Sequence, residues 1–416
     1  MTSRRHVVVM VTSSYPRFPG DTIATFVEPI AHGVAARGHQ VHVVLPWHPD
    51  LKRAGCEGAV CFHPFRYAPL AGLNVFGYAG ALKADVHLRA SAYAAAPFAL
   101  AAGWRAVRRV ARQTGATLLH GHWVVPGGAL AALAAGSLPL VISLHGSDVY
   151  LAERFGPARM AARAAFGRVD WMTACSDDLL NRAIALGADA DRSETLPYGV
   201  DAAQFKPNTP VRTERRQALG VTCDQPLLFT AGRFVRKKGF EYLIDAVSEL
   251  LDRWPNLVLV IAGGGDLESE LRARTTLRGV AAATRFVGVL THAEVAEYLA
   301  AADLAVVPSV VDDAGNVDGL PNVVMEALAS GTPLVATMAG GIPSVAASGR
   351  TAELVPEANP QALAAAIDRL LRHPEVRLEM GRQAREETVR LHSWERFATR
   401  LDDVYECAVL HRQAVA

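Results

Sequence analysis

The chain lacks a charge excess of either sign. Its 416 residues carry 42 Lys+Arg against 41 Asp+Glu, a formal net charge of +1. A nucleic-acid-binding surface needs a basic excess, so the global balance gives no case for a nucleic-acid partner. Cysteine is scarce and odd in number: Cys56, Cys61, Cys175, Cys223 and Cys407. No pair has the spacing of metal ligands, and reduced buried thiols are expected rather than disulfides. A long uninterrupted apolar run is missing too. After Arg4 and Arg5 the run VVVMV stops at Ser13, Ser14 and Pro16, short of the ~7–15 apolar residues of a secretory signal, which predicts a first buried strand. Ala116 to Ser147 contains no Asp, Glu, Lys or Arg. Pro126, Gly127, Gly128, Gly136 and Pro139 cut that stretch into helix-sized and strand-sized pieces, which excludes a membrane helix. There is no short-period repeat and no low-complexity tract.

What the chain does have is 50% hydrophobic and 20% charged residues over a length sufficient for two cores. Short β-branched runs alternate with helical stretches. In the first half, strands are predicted at 7–12, 41–46, 117–122, 139–146 and 170–176, with a helix from Phe26 to Ala36. In the second half they fall at 226–232, 257–265, 284–290, 303–309, 333–341 and 352–356. Strand–helix–strand in this rhythm predicts an α/β protein with parallel sheets covered on both faces. The turn-rich LPYGVDAAQFKP marks a hinge near 200–208. The expected domains are two doubly wound, Rossmann-like units, 1–205 and 206–390, with a helical segment 391–416 returning to the first.

Ligands in such sheets bind beyond the carboxyl ends of the strands, and the chemistry-bearing loops of this sequence fall there. GRFVRKKGF (232–240) opens on Gly232 and offers Arg233 and Lys238, a forked and a point cation suited to one diphosphate; a solvated basic loop is the plainer alternative. AGGGD (262–266) is either a ligand loop or a tight turn. DGLPNVVME (318–326) is more specific. Pro321 fits the first helical position, and the N–H groups beside it, with the positive helix end, suit phosphate or sugar oxygens. Glu326 sits about one and a half turns inside, among Val323, Val324, Met325, Ala327 and Leu328, as an acid that faces a cleft and accepts ribose hydroxyls rather than lying on a helix surface. In the first half, HGHW and HGSD end two successive strands. These histidines are either structural or, at His145, in contact with ligand.

Taken together, YPRFPGD, GHQVHVV, LHGSD, LPYGVDAAQF, GRFVRKKGF, IAGGGDLESEL, TRFVGVL, DGLPNVVMEALASGTPLVAT, GGIP and SWERF resemble the retaining glycosyltransferases of family 4, which have the GT-B fold of two Rossmann-like domains facing across a cleft. The resemblance covers nearly the whole chain. It implies a nucleotide-sugar donor, a UDP-sugar in preference to GDP-mannose, held mainly by the C-terminal domain. It places Gly232, Arg233 and Lys238 on the diphosphate, Gly288, Val289 and Leu290 at the base, and Glu326 on the ribose. Asp318, with the backbone of Gly319, Leu320, Pro321 and Asn322, holds the transferred sugar. His145, Arg233, Lys238 and Asp318 form the implied catalytic set, and Arg17, Gly20, Asp21, His122 and Asp148 line the acceptor side. Three positions depart from the family pattern. Asp318 replaces a glutamate and is one methylene shorter, Gly20 stands where a glycine pair is usual, and Ser344 replaces an acid after GGIP.

The implied reaction moves a hexosyl group to a hydroxyl of a glycan, a lipid-linked or a small-molecule acceptor, with retention at the anomeric carbon, no cofactor and no metal. The acidic DAD at 189–191 is expected in a helix–strand loop rather than in a metal site. A sugar-nucleotide epimerase or a phosphorylase of the same fold, and a catalytically silent partner of a transferase, stand as alternatives. The expected location is the cytoplasm, with peripheral attachment at the inner membrane face as an option. That option rests on residues 65–112, where Phe65, Tyr67, Leu73, Val75, Phe76 and Tyr78 accompany Arg105, Arg108, Arg109 and Arg112; core positions plus a solvated helix face are the other reading.

Overall fold

The structure is a computed structural model that describes residues 5–78, 82–83, 87–88 and 90–415. Arg4 and part of the 65–112 stretch lie outside the described residues. Two compact units result: Met1–Tyr198 with Trp394–Ala416, and Gly199–Ser393.

The first unit is built on β1 (Val7–Val11), β2 (Gln40–Pro46), β3 (Cys56–Glu57), β4 (Val60–Phe65), β7 (Leu118–His122), β8 (Leu140–Leu144), β9 (Trp171–Ala174) and β10 (Ser193–Thr195). A two-stranded ladder, β5 (Leu82–Lys83) and β6 (His87–Leu88), stands apart. The large sheet runs β10-β9-β8-β7-β1-β2-β4-β3, parallel except for the β3–β4 pair. The central strands are buried along their length, Val8 to Val11 and Leu118 to His122 among them, which is why they read as continuous apolar runs. The helix Trp394–Ala414 packs on this unit: Arg37 Nε and His39 Nε2 meet the Asp402 carboxylate at 2.7 and 2.8 Å.

The second unit holds β11 (Leu227–Ala231), β12 (Val258–Ala262), β13 (Thr284–Phe286), β14 (Leu304–Val307), β15 (Leu334–Thr337) and β16 (Glu353–Val355). Their order is β13-β12-β11-β14-β15-β16, all parallel. Leu228, Ile244, Leu259, Val306 and Ile367 belong to one continuous core beneath them. In each sheet the winding reverses beside the first strand of the unit, between β1 and β7 and between β11 and β14. At such a switch point the loops diverge and leave a crevice at the carboxyl edge.

The two doubly wound sheets match the expected α/β architecture. Several local expectations fail. β4 was not foreseen, because Cys61, His63 and Pro64 interrupt its apolar pattern; it is half-buried, with Val60, Phe62 and Phe65 facing inward. The strand expected at 284–290 ends at Phe286. Cys56 and Cys61 are bonded rather than reduced. They face each other across the antiparallel β3–β4 pair with Cα atoms 4.0 Å apart, a closeness that local spacing did not reveal. Of the other thiols, Cys175 is buried, Cys223 exposed and Cys407 intermediate.

Candidate active site

At the carboxyl edge of the second sheet four loops interlock. Gly232 N–H donates to the Ala262 carbonyl at 3.0 Å, Phe234 N–H to Gly264 at 2.9 Å, and Gly263 N–H to Gly288 at 2.7 Å. The AGGGD run is therefore a seam between β11, β12 and β13. Across the switch point, Val310 N–H donates to the Lys237 carbonyl at 2.9 Å. Gly239 permits this approach: its φ is +63°, and a Cβ there would lie 2.0 Å from the Pro308 carbonyl oxygen. Gly340, in GGIP, does the same for the backbone of Asp318, whose carbonyl would stand 2.2 Å from an added Cβ.

The seam gathers charge. The short 3-10 turn Arg236–Lys238 aims Lys238 Nζ at Asp318 Oδ2 (2.7 Å) and Lys237 Nζ at Asp318 Oδ1 (3.4 Å). Lys237 is buried, Lys238 partly so, and Arg233 exposed. Burial by itself would raise the Asp318 pKa. Lys238 and Lys237, with a smaller contribution from Arg233, overcome that and hold the carboxyl well below the usual range. Arg236 turns away to Glu270. The stem of Lys238 runs over Gly232, 3.2 Å from where its Cβ would be. Three cations thus act on one carboxylate.

The next helix is Asn322–Ser330, with Pro321 as its cap residue. Pro321 lies one position before the first helical residue, not on it, because its ψ of 124° is extended. Gly319, Leu320 and Pro321 are buried and Asn322 partly so. Glu326 is 7% exposed, within the helix, 3.9 Å from His292 Nε2. Burial raises its pKa against the opposing pull of His292 and Lys238, the condition of an acid enclosed rather than solvated. Gly288 and Val289 are exposed and Leu290 half-buried, in the loop after β13. The structure therefore brings Gly232, Arg233, Lys238, Asp318 to Asn322, Glu326 and Gly288 to Leu290 to one sheet edge. Lys237 was missed by sequence reasoning: beside Lys238 in a basic run, nothing local distinguishes a buried lysine from a solvated one.

The edge of the first sheet has the same topology and different chemistry. His122 Nδ1 and His145 Nε2 are 3.0 Å apart, and His145 Nδ1 is 2.7 Å from the Tyr198 hydroxyl. His120 spans from Tyr405 (2.9 Å) to Ser143 (2.8 Å). Burial pushes all three histidines below their ordinary pKa, His122 to about 3. His145 is clasped further by ring contacts to Phe26 and Trp123. Both of its ring nitrogens are engaged, so it is a held, neutral ring. His122 keeps Nε2 buried without a hydrogen-bond partner. Asp148 accepts from Val124 N–H at 2.6 Å and Gly146 N–H at 2.9 Å, tying the segment after β7 to the helix Ser147–Arg154 that follows β8. Arg17 and Asp21 pair doubly, at 2.7 and 3.0 Å, and close the loop at Gly20, which is exposed with φ +86°. Elsewhere, ligand atoms of Glu28, His32 and Glu57 lie within 4.8 Å of one another. Arg53 reaches both carboxylates, at 2.6 and 2.9 Å, and so occupies the place of a cation.

The class is an α/β protein of two doubly wound parallel sheets, one with cations gathered beside a helix start at its carboxyl edge. The family described as Glycosyl transferases group 1 matches residues 211–387, and that described as Glycosyltransferase Family 4 matches residues 23–204. The chain belongs to this glycosyltransferase family. It is 34% identical over 256 residues to a putative teichuronic acid biosynthesis glycosyltransferase of Bacillus subtilis, covering 61% of this chain and 60% of that one. It is 31% identical over 274 residues to a GDP-mannose-dependent monoacylated alpha-(1-6)-phosphatidylinositol monomannoside mannosyltransferase of Corynebacterium glutamicum, covering 65% and 71%. Its fold matches sucrose-phosphate synthase from Thermosynechococcus elongatus with a TM-score of 0.78 at 21% identity, over 97% and 98% of the two chains.

Proposed function

We propose that the protein is a retaining hexosyltransferase that moves a sugar from a nucleotide diphosphate to an acceptor hydroxyl, with a UDP-sugar preferred to GDP-mannose. The observation that carries this reading is the set of three cations acting on one carboxylate at the switch point between β11 and β14. When the glycosidic bond breaks, the leaving diphosphate gains negative charge. Arg233 and Lys238 meet that charge, and the positive end of the Asn322–Ser330 helix adds to it. This charge neutralisation falls to the chain's own cations, with no metal or cofactor taking part. Gly232 admits the diphosphate, and Gly288, Val289 and Leu290 border the base. Glu326 accepts the ribose hydroxyls. Asp318, freed from Lys238 as the lysine turns to phosphate, accepts sugar hydroxyls beside Gly319 to Asn322. The departing phosphate oxygen takes the acceptor's proton on the same face. Arg17, Gly20, Asp21, His122, His145 and Asp148 belong to the acceptor-side edge. There the buried, engaged groups act by shaping the loops rather than by proton transfer.

Among the described residues no helix is long and apolar enough to cross a membrane. We place the protein in the cytoplasm, in peripheral contact with the inner membrane face. A panel of nucleotide sugars, scored by thermal stabilisation and then by release of nucleoside diphosphate, tests the reading. A UDP-sugar is expected to give the largest shift and slow hydrolysis. No stabilisation by any nucleotide sugar would remove the transferase reading, and a changed sugar nucleotide without acceptor would replace it by epimerisation.

A further inference from the structure

Charge is unevenly distributed along this near-neutral chain. Between Glu57 and Asp148 there is one acidic residue, Asp85, and there are seven Lys or Arg. Residues 58–147 therefore carry a formal +6, seven less one, against −5 for the remainder of a chain whose total is +1. The helix Ala90–Thr114 contains four of those arginines and no acid. Phe98, Arg105, Arg109 and Arg112 are exposed and recur at i, i+7, i+11 and i+14, one face of the helix. Ala99, Ala106, Val107 and Val110 bury the opposite face.

The same face is apolar at one end. Phe98 is 67% exposed and, with Arg66, Pro69 and Arg105, lines an open groove of about 420 Å³. Leu70 is 66% exposed just beyond it. Grouped apolar side chains under a basic rim mark an interaction surface. The aromatics beneath the arginines point to the kind of partner. The Arg66 guanidinium lies 3.5 Å over the Trp47 ring, and that of Arg108 lies 5.1 Å over Trp104. Guanidinium groups laid on amphipathic rings, next to protruding Phe and Leu, suit a boundary that is anionic outside and hydrocarbon within. An acidic protein would satisfy the charge and leave the unpaired apolar groove to be filled by shape; a bilayer satisfies both without it.

We propose that this face docks on an anionic lipid surface, with Phe98 and Leu70 entering the acyl boundary and Arg66, Arg105, Arg109 and Arg112 meeting headgroup phosphates. Docking itself is independent of the transferase reading; only its consequence, that the acceptor is lipid-linked, rests on it. The test is flotation of the full chain with phosphatidylcholine vesicles, with and without about 30 mol% phosphatidylglycerol, at low and high salt. The protein is expected to float with the anionic vesicles at low salt and to stay behind with the neutral ones. The triple variant Arg105→Glu/Arg109→Glu/Arg112→Glu is expected to lower partitioning about 100-fold or more, and Phe98→Ser to lower it several-fold. Each variant is checked for unaltered thermal stabilisation by nucleotide, which separates a failure of docking from a failure of fold or donor binding. No flotation of the wild-type chain with anionic vesicles overturns the proposal, as does flotation that the triple variant retains or that neutral vesicles match.

Discussion

The carboxyl edges of the two sheets share a topology and differ in how their polar groups are satisfied. At the β1–β7 switch point the groups are paired with one another: His122 with His145, His145 with Tyr198, Asp148 with two backbone amides, Arg17 with Asp21. At the β11–β14 switch point Lys237 and Lys238 share Asp318, and Arg233 adds a further cation. One scaffold thus carries a neutral, desolvated platform and a positive socket. The difference lies in a few residue types at strand ends, because the backbone at both edges is fixed by similar parallel strands. A platform whose groups are paired, His122 Nε2 excepted, is suited to position; a socket of gathered cations is suited to stabilise charge that develops during reaction.

The sharpest way to break that comparison is to remove charge from one edge and shape from the other. Lys238→Ala is expected to lower kcat/KM by about 10²–10³, on the order of 2.7–4 kcal/mol, with the loss mainly in kcat. Arg233→Ala is expected to behave alike. His145→Gln, which retains hydrogen-bonding atoms on a neutral side chain, is expected to cost less than about tenfold. Steady-state kinetics on the best donor decides it. Equal losses at Lys238 and His145 would erase the distinction between socket and platform.

A middle-sized effect separates the edges by pH. His122 has its pKa pushed down to about 3 by burial, while an exposed histidine titrates near 6.5. Between those values the unfolded chain binds a proton that the folded chain refuses. The stability this neutral ring contributes is therefore complete above pH 6.5 and falls by about 1.4 kcal/mol per pH unit below it. From pH 6.5 to 5 that amounts to roughly 2 kcal/mol from His122 alone, and His120 and His145 shift in the same direction. Asp318 has a lowered pKa, so its contribution is present above the usual carboxylate pKa and is lost only below it. Hydrogen–deuterium exchange from pH 7 to 5 should show 118–145 losing protection while 227–337 keeps it. Simultaneous loss in both segments would contradict the assignment.

Strand-end loops were legible in the sequence because their glycines, prolines and short apolar runs are local signals. The positions of Gly232, Asp318 and Glu326 at one sheet edge follow from that pattern. Contacts made over long separations were not legible. Tyr405 reaches His120 across 285 residues, and His39 reaches Asp402 across 363. The burial of Lys237 depends on the approach of the 308–310 segment, and β4 was hidden by its proline and polar outer face. Local spacing fixes where a loop begins, whereas packing decides which side chain of a basic run turns inward.

The smallest effect sharpens the socket rather than breaking it. Glu326 lies enclosed one and a half turns into the Asn322–Ser330 helix, with burial raising its pKa and His292 and Lys238 favouring its charged form. If it accepts two ribose hydroxyls, Glu326→Gln replaces one charged acceptor oxygen by an amide donor while keeping volume. The expected loss is about 1–1.5 kcal/mol, roughly tenfold in nucleotide affinity, because a hydrogen bond to a charged group is stronger than one to a neutral group. The same change should remove most of the discrimination between a nucleoside diphosphate and its 2′-deoxy analogue, since the missing hydroxyl no longer leaves a buried carboxylate short of a donor. Calorimetric titration of both ligands against both proteins measures the four affinities. If Glu326→Gln weakens both ligands equally and leaves their ratio intact, the carboxylate supports the helix end electrostatically and does not touch the ribose. The charge of the socket then resides entirely in its cations and Asp318.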